Sequence, residues 1–296
     1  IHSRHITSVD VNPHNSDVYV GMWSRKGVAY LKSGSTSWTQ INTTAAQKLS
    51  IFQLQLDPVN PQFLYLSTSQ GLYRCVGDPY PSEFSDCDLI AHESNFIFDL
   101  TLDIESVGPN GKIKRMYTGL RYHGLYKSSD AGISFNERYA GIKSNEILSV
   151  LSDPNHPSDI YASVNGKGIY KSNDEGLNWI PLTDELPDEY VNQLVFKPED
   201  SNTLFAATRS TGVYKSDDRG LSWSPSNTGL AILGVDDIEK MTLNEGETIN
   251  CESFLCPEIL SVNFISSSPC QILAETNGYG IMMSDDCGNS WHKTNL

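Results

Sequence analysis

A chain of 296 residues has room for about two average domains or one large β domain. Its 21 Lys and Arg stand against 36 Asp and Glu, a net charge of −15, which excludes a general binder of nucleic acid or anionic membrane, because phosphate recognition needs clustered cations. Hydrophobic content is 39%, with 10% aromatic residues and 22 Gly; this is a folded, turn-rich chain, and no apolar stretch reaches the ~18 residues of a membrane span.

The chain begins at Ile1, with neither Met nor an apolar signal-like segment, which reads as a removed leader or a fragment. Two phrases then alternate along it. The first is an apolar residue, two others, Val or Leu, and usually a Pro. It starts at Ile6, Ile51, Ile97, Ile147, Val191 and Ile259, at spacings of 45, 46, 50, 44 and 68. The second follows each first phrase. It is degraded in unit one, where Gly27-Val-Ala-Tyr-Leu-Lys-Ser33 leads through a shortened turn to Trp38. In unit two, Gly71-Leu-Tyr-Arg-Cys75 leads into a Pro-rich loop ending at Cys87. Units three, four and five carry full copies: Gly124-Leu-Tyr-Lys-Ser-Ser-Asp-Ala-Gly-Ile-Ser-Phe135, Gly168-Ile-Tyr-Lys-Ser-Asn-Asp-Glu-Gly-Leu-Asn-Trp179 and Gly212-Val-Tyr-Lys-Ser-Asp-Asp-Arg-Gly-Leu-Ser-Trp223. The last copy is Gly280-Ile-Met-Met-Ser-Asp-Asp-Cys-Gly-Asn-Ser-Trp291.

Between the phrases lie short apolar runs such as Val18-Tyr-Val20, Leu64-Tyr-Leu66, Ile160-Tyr-Ala162 and Leu204-Phe-Ala206. Each unit therefore reads as four short strands, bounded by Gly, Pro, Asn and Asp, with no sustained helical periodicity. Four-stranded units repeating every 40–50 residues predict an all-β, six-bladed β-propeller of antiparallel blades. The chain reads as a single propeller domain over 1–296. Its blades fall at about 1–45, 46–91, 92–141, 142–186, 187–228 and 257–296, with an insertion at 229–256. The insertion adds about 23 residues to a normal repeat, too few for the four strands of a seventh blade.

In the turn Ser-x-Asp-x-Gly-x-x-Trp, Asp130, Asp174, Asp218 and Asp286 accept hydrogen bonds from their own turn. The Gly permits a left-handed backbone angle, and Phe135, Trp179, Trp223 and Trp291 anchor the hairpin by packing. Four copies at fixed offsets speak for fold and carry no chemistry of their own. The six cysteines fall in three local pairs: Cys75 with Cys87, Cys251 with Cys256, and Cys270 with Cys287; none has zinc spacing. Six cysteines allow 15 pairings, and local pairing closes the shortest loops. The expectation is an oxidised, exported protein, extracellular or periplasmic.

At these residues the chain resembles the Asp-box (bacterial neuraminidase repeat, sialidase-like) propellers, with regular boxes at 128–135, 172–179, 216–223 and 284–291. That superfamily includes sialidases, xyloglucan-cleaving endoglucanases, the sortilin ectodomain and photosystem II assembly factors. The resemblance implies that the boxes lie away from the ligand face. It implies no single activity. The Arg-Ile-Pro phrase of sialidases does not occur, nor does a second propeller or a following cysteine-rich module within these residues.

Propellers bind ligand at the loops between second and third strands. Here those loops hold Trp23, Arg25, Tyr122, Arg121, His123, Lys167, Arg209 and Tyr279. Arg25, Arg121 and Arg209 come from alternate units, so three guanidiniums are expected to converge on one mouth. That would locally reverse the acidic balance and suit an anionic or glycan ligand flanked by aromatic rings. The plainer alternative is exposed loop residues reaching into solvent. Two residues after each opening apolar position stand Ser8, Gln53, Asp99, Ser149, Gln193 and Ser261, expected to face a water-filled channel.

Candidate carboxylates for acid–base work are Asp184, Glu185, Asp188, Glu189, Glu146 and Glu275; the loop 183–189 reads first as a solvated acidic connection, and no Ser/His/Asp constellation is legible. The acidic insertion, with Asp236, Asp237, Glu239, Glu245, Glu247 and Glu252, reads as a gate, a docking loop or surface decoration, its tip pinned by Cys251 and Cys256. No cofactor or metal is expected. The preferred reading is a secreted, non-catalytic recognition or assembly propeller. Its ligand is a protein partner or an anionic or glycan molecule, without nucleic acid or membrane insertion. The alternatives are an atypical, sialidase-like glycoside hydrolase acting on an acidic sugar, and a structural component of an extracellular assembly.

Overall fold

The computed structural model describes residues 6–12, 14–23, 27–41, 49–77, 84–108, 111, 113–182, 186, 190–230, 257–267, 270–277 and 280–294. Within them the chain forms six four-stranded antiparallel sheets, each with its strands in chain order. This is the six-bladed β-propeller that the repeats predict. Sheet 1 is β1 (Ile6–Val11), β2 (Val18–Met22), β3 (Gly27–Leu31) and β4 (Trp38–Gln40). Sheet 2 is β5 (Ile51–Leu56), β6 (Phe63–Thr68), β7 (Gly71–Gly77) and β8 (Phe84–Ala91). Sheet 3 is β9 (Ile97–Leu102), β10 (Met116–Leu120), β11 (Gly124–Ser128) and β12 (Asn136–Glu137). Sheet 4 is β13 (Ile147–Ser152), β14 (Ile160–Val164), β15 (Gly168–Ser172) and β16 (Ile180–Pro181). Sheet 5 is β17 (Val191–Lys197), β18 (Asp200–Thr208), β19 (Val213–Ser216) and β20 (Ser224–Pro225). Sheet 6 is β21 (Ile259–Ser267), β22 (Cys270–Thr276), β23 (Gly280–Ser284) and β24 (His292–Lys293). The acidic insertion falls outside the described residues, and Cys251 and Cys256 with it.

The chain divides into two compact units, residues 1–160 with 172–179, and residues 161–171 with 180–296. In the first, apolar side chains of sheets 1 and 2, among them Tyr19, Ile51, Leu54 and Leu66, pack as one cluster. Tyr65, Leu72, Ile97, Met116 and Leu120 bridge sheets 2 and 3 in a second cluster. In the second unit Phe205, Val213, Ile259, Val262 and Trp291 form the core. Second strands such as β6, β10 and β14 are buried at every residue and are mostly apolar rather than alternating, because both faces are covered. Fully burying one such side chain stabilises by ~1.5–3 kcal/mol, so these strands carry much of the hydrophobic stabilisation. Close approach also dictates composition. A Cβ at Gly21 or Gly119 would lie 2.7 Å from the opening isoleucine of the next sheet, Ile51 or Ile147.

The polar row on the first strands ties neighbouring sheets together. In the first unit the Leu54 amide donates to Ser8 Oγ at 3.0 Å, the Leu100 amide to Gln53 Oε1 at 2.5 Å, and the Val150 amide to Asp99 Oδ2 at 2.8 Å. In the second unit the Val262 amide donates to Gln193 Oε1 at 2.7 Å. Neighbouring first strands belong to separate sheets and share no ladder, so their amides need acceptors. In these four sheets the polar residue two places after the opening apolar position supplies one to the following sheet. These four residues therefore have an inter-sheet role beside the channel-facing one expected from the sequence. Asp10 extends the device, accepting the Leu56 amide at 2.7 Å. Burial pushes Asp10 up to about 6 and Asp99 up to about 7, against the hydrogen bonds that favour their charged forms.

The four Ser-x-Asp turns share one network. Asp130 Oδ1 accepts from Ser128 Oγ at 2.8 Å and from the Ser134 amide at 2.9 Å, while Oδ2 accepts from Ser134 Oγ at 2.6 Å. Asp174, Asp218 and Asp286 repeat this with Ser172, Ser216 and Ser284. The turn glycines Gly132, Gly176, Gly220 and Gly288 have φ between +82° and +87°. Trp179 Nε1 donates to Arg138 O at 2.6 Å and Trp291 Nε1 to Ser226 O at 2.7 Å, each tying a turn to the end of the outer strand of the preceding sheet. Phe135 packs instead against His92, ring centroids 5.0 Å apart.

The residue before each turn glycine varies, and in all four turns its side chain or carbonyl makes a tie; in the second unit Arg219 O accepts from Tyr161 Oη at 3.1 Å. In the first unit Glu175 accepts from buried Lys127, and from Arg115 Nη1 at 2.6 Å. Ala131 O accepts from Arg74 Nη1 at 3.1 Å. Cys287 closes a disulfide with Cys270. A second disulfide, Cys75–Cys87, joins directly opposed residues of β7 and β8. Two of the three expected disulfides are thus formed among the described residues. The third, expected between Cys251 and Cys256, is not one of them, because Cys251 and Cys256 both lie outside the described residues.

Candidate functional site

Each sheet has two distinct ends. Where the second strand finishes, it pairs with the start of the first strand: Met22 with Ile6, Thr68 with Ile51, Leu120 with Ile97, Thr208 with Val191, and Thr276 with Ile259. The turn from second to third strand therefore lies beside the start of the first. The Ser-x-Asp turns lie at the other end, as the pairing of Met116 with Ser128 shows in sheet 3.

At the first of these ends the ladder skips one residue. Thr7, Phe52, Phe98, Asn192 and Leu260 have no partner across the sheet and form a β-bulge at the second position of their strands. A bulge re-aims its side chain. Thr7 and Asn192 reach the following sheet: Thr7 Oγ1 donates to Ile51 O at 2.6 Å, and Asn192 Nδ2 to Ile259 O at 2.9 Å. Phe52 instead meets Trp23 at 5.0 Å, Phe98 at 5.2 Å and Phe96 at 5.8 Å between ring centroids.

Arg121, the first residue after β10, continues that row. Its guanidinium lies 4.9 Å from the Tyr122 ring centre, 5.7 Å from Phe96 and 5.9 Å from Phe98. Its Nε is 3.6 Å from Glu146 Oε1. The first unit thus presents a continuous row from Trp23 through Phe52, Phe96 and Phe98 to Arg121 and Tyr122. Trp23 is 41% exposed, Phe96 37% and Tyr122 53%. Single exposed aromatics are ordinary, whereas a contiguous row is the mark of an interaction surface.

The second unit repeats part of this. Arg209 lies over Tyr190 at 4.6 Å, with Nε 3.7 Å from Glu258 Oε1. Asn277 Nδ2 donates to Glu258 Oε2 at 2.8 Å. In both units an Arg directly after the second strand stacks on the residue preceding its own first strand and faces a Glu preceding the next. Nearby, burial pushes Glu275 up to about 7, with Ser261 Oγ at 3.4 Å.

Two expectations from the sequence change. Arg121 and Arg209 each have a carboxylate beside them, so the local charge is balanced and not reversed. Arg25 is also not the counterpart of Arg121 and Arg209: the residue directly after the second strand of sheet 1 is Trp23. Arg25 and Tyr279 fall outside the described residues, as do Asp184, Glu185, Asp188 and Glu189. His123 and Lys167 are exposed in their turns. Sequence reasoning missed Phe52, Phe96, Phe98, Tyr190 and Glu258. The available signal was their place, one residue before or after the opening apolar position of each repeat. Among the described residues no His, Cys, Asp and Glu gather as a metal site. Nor is any helix among them long and apolar enough to cross a membrane.

Known proteins resemble the chain in fold. The family described as sortilin, neurotensin receptor 3 (Sortilin-Vps10) matches residues 123–254, under half of the chain. No curated protein matches it. The GH74 enzyme of Niastella koreensis is 19% identical, with a TM-score of 0.65 over 97% of this chain and 46% of that one. The chain thus spans less than half the length of that enzyme. YCF48 from Cyanidioschyzon merolae is 12% identical, with a TM-score of 0.60 over all of this chain and 86% of its own. A structure of YCF48 bound to D1 peptide is 10% identical, with a TM-score of 0.60 over 97% of this chain and 81% of that one. At these identities the likeness is one of fold alone.

Proposed function

We propose that this chain is a secreted, non-catalytic recognition or assembly propeller that holds a protein partner at the ends of sheets 1 to 3 where second strands turn into third. The carrying observation is the row Trp23, Phe52, Phe96, Phe98, Arg121 and Tyr122. Tyr, Trp and Arg are enriched among the residues that dominate binding energy in protein interfaces. Arg121 is held in place by three rings and one carboxylate, so little ordering is left to a partner. His123 and, in the turn of Trp23, Arg25 are proposed to extend this surface, and Lys167, Arg209 and Tyr279 are proposed for equivalent turns of other sheets. That YCF48, a propeller of similar fold, has been solved with a peptide supports a peptide-binding reading. Two disulfides support an exported protein.

The test is binding of the purified chain to peptide and glycan arrays in parallel. The expected result is peptide ligands whose affinity falls about tenfold or more in Trp23→Ala and Tyr122→Ala, with the unfolding transition unchanged. Binding confined to glycans, or hydrolysis of any arrayed sugar, would overturn it.

A further inference from the structure

We infer that the partner held at the ends of sheets 1 to 3 presents a proline-rich segment in the polyproline II conformation, laid across Trp23, Phe52, Phe96 and Tyr122. The inference rests on the recognition surface proposed above and names the chemistry of its ligand. Every residue it uses belongs to the first unit.

Hydrogen-bonding capacity separates the candidate ligands. Three side chains of the row carry polar hydrogens: Trp23 at Nε1, Arg121 at its guanidinium and Tyr122 at Oη. Among the described residues none of the three donates a hydrogen bond to the protein, and Glu146 Oε1 stops 3.6 Å short of Arg121 Nε. The backbone acceptors beside them are engaged. Phe96 O accepts from the Arg121 amide at 3.0 Å, and Tyr122 O from Asn145 Nδ2 at 2.5 Å. The phenylalanines offer neither donor nor acceptor. The surface is therefore rich in donors and poor in acceptors, and it suits a ligand that accepts hydrogen bonds while donating few.

Most peptide conformations fail that condition. An extended segment of ordinary residues brings one N–H for every carbonyl, and each N–H covered without an acceptor costs about 1–3 kcal/mol. A helix keeps its carbonyls within its own ladder and leaves the surface donors without partners. Proline has a carbonyl and no N–H, and in polyproline II that carbonyl stands free of internal hydrogen bonds. An anionic ligand also accepts without donating. Charge disfavours it, because Glu146 already stands beside Arg121 and the chain carries −15 overall.

Shape agrees with chemistry. The bulge turns Phe52 out between its neighbours, with Trp23 at 5.0 Å and Phe96 at 5.8 Å between ring centroids. Two such steps are comparable with the ~9 Å turn of a polyproline II helix, whose pyrrolidine rings pack on aromatic faces. The Arg121 guanidinium, stacked on Tyr122 at 4.9 Å, then offers its outer N–H groups to the carbonyls that follow. Both partners are ordered beforehand, the ligand by its fixed φ and the row by its ring contacts, so little conformational freedom is lost on binding.

The test is calorimetric titration of the purified chain with two capped peptides, one of nine prolines and one of nine alternating Leu and Gln residues. Capping removes the terminal charges of both. The expected result is that the proline peptide binds about tenfold or more tightly than the Leu-Gln peptide. Its affinity is expected to fall about tenfold or more in Trp23→Ala and about threefold or more in Arg121→Gln, with unfolding transitions unchanged. Tyr122→Ala, at the other end of the row, serves as the second variant should Trp23→Ala fail to fold. Leu-Gln binding that equals or exceeds that of the proline peptide, and is lost in Trp23→Ala, overturns the inference while the recognition surface stands. Proline-peptide affinity untouched by Trp23→Ala also overturns it, because the segment then lies elsewhere. So does affinity untouched by Arg121→Gln, because the donors then play no part. If neither peptide binds, the inference falls, and the peptide array decides separately whether the surface holds a peptide at all.

Discussion

The two ends of the sheets are built on opposite rules. At one end four Ser-x-Asp turns repeat the same hydrogen bonds to within a few tenths of an ångström, and the same residue types recur in sequence. At the other end the backbone repeats, with a bulge and a turn in sheet after sheet, while the side chains do not. The residues directly after the second strand are Trp23, Ser69, Arg121, Asn165, Arg209 and Asn277. Identity at equivalent positions marks what the four sheets that carry the turn share in folding. Diversity at equivalent positions marks what the fold tolerates, and that is where recognition can be placed at little cost to stability.

Substitutions can break this contrast. The largest effect is expected from Trp291→Ala, which removes a buried indole and its hydrogen bond to Ser226. Urea unfolding should show a loss of about 3–5 kcal/mol, whereas Tyr122→Ala at the other end should cost about 0.5 kcal/mol or less. Comparable losses from both would show that the second end also supports the fold.

An intermediate effect concerns pH. Asp99 and Asp10 have folded-state values raised to about 7 and about 6 from an ordinary 3.8. The folded protein therefore holds these protons more tightly than the unfolded chain. Their contribution is fully present below about pH 4 and is lost as pH rises through about 6 to 7. Asp99→Asn should flatten the fall in stability between pH 4 and 7, measured as the urea midpoint at each pH. An unaltered slope would mean that Asp99 is ionised without penalty beside the Val150 amide.

A small effect is likewise expected at Arg121. Its ion pair with Glu146 is long and partly exposed, so Arg121→Gln should lower stability by less than about 1 kcal/mol. A larger loss would place the aromatic and guanidinium row among the elements that hold the sheets together.

The sheet count, the strand order within each repeat and the Ser-x-Asp turns were legible in the sequence because they recur. The opening apolar positions Ile6, Ile51, Ile97, Ile147, Val191 and Ile259 are the first residues of β1, β5, β9, β13, β17 and β21. The recognition row was only half legible. Trp23, Arg121 and Tyr122 lie in a turn that could be aligned, but Phe52 and Phe98 lie within a strand, where alternation alone does not reveal an extra residue in the ladder. Arg25 misled for a related reason. The turn of sheet 1 is one residue longer than that of sheet 3, and Arg25 stands two residues before its glycine where Arg121 and Arg209 stand three before theirs, so it matches them counted from neither end. The roles of Gln53 and Asp99 were hidden because an acceptor for a neighbouring sheet's amide and a channel-facing polar residue look the same in sequence.

The bulge at the second residue of the first strands has a consequence for how such a protein can change. That residue is outside the pairing register, so its replacement leaves the ladder and the core intact. Thr7, Phe52, Phe98, Asn192 and Leu260 already place a hydroxyl, two aromatic rings, an amide and an aliphatic chain on one backbone. The strand is in effect a socket with an interchangeable insert, and new specificities can be tried one sheet at a time without redesigning the scaffold beneath them.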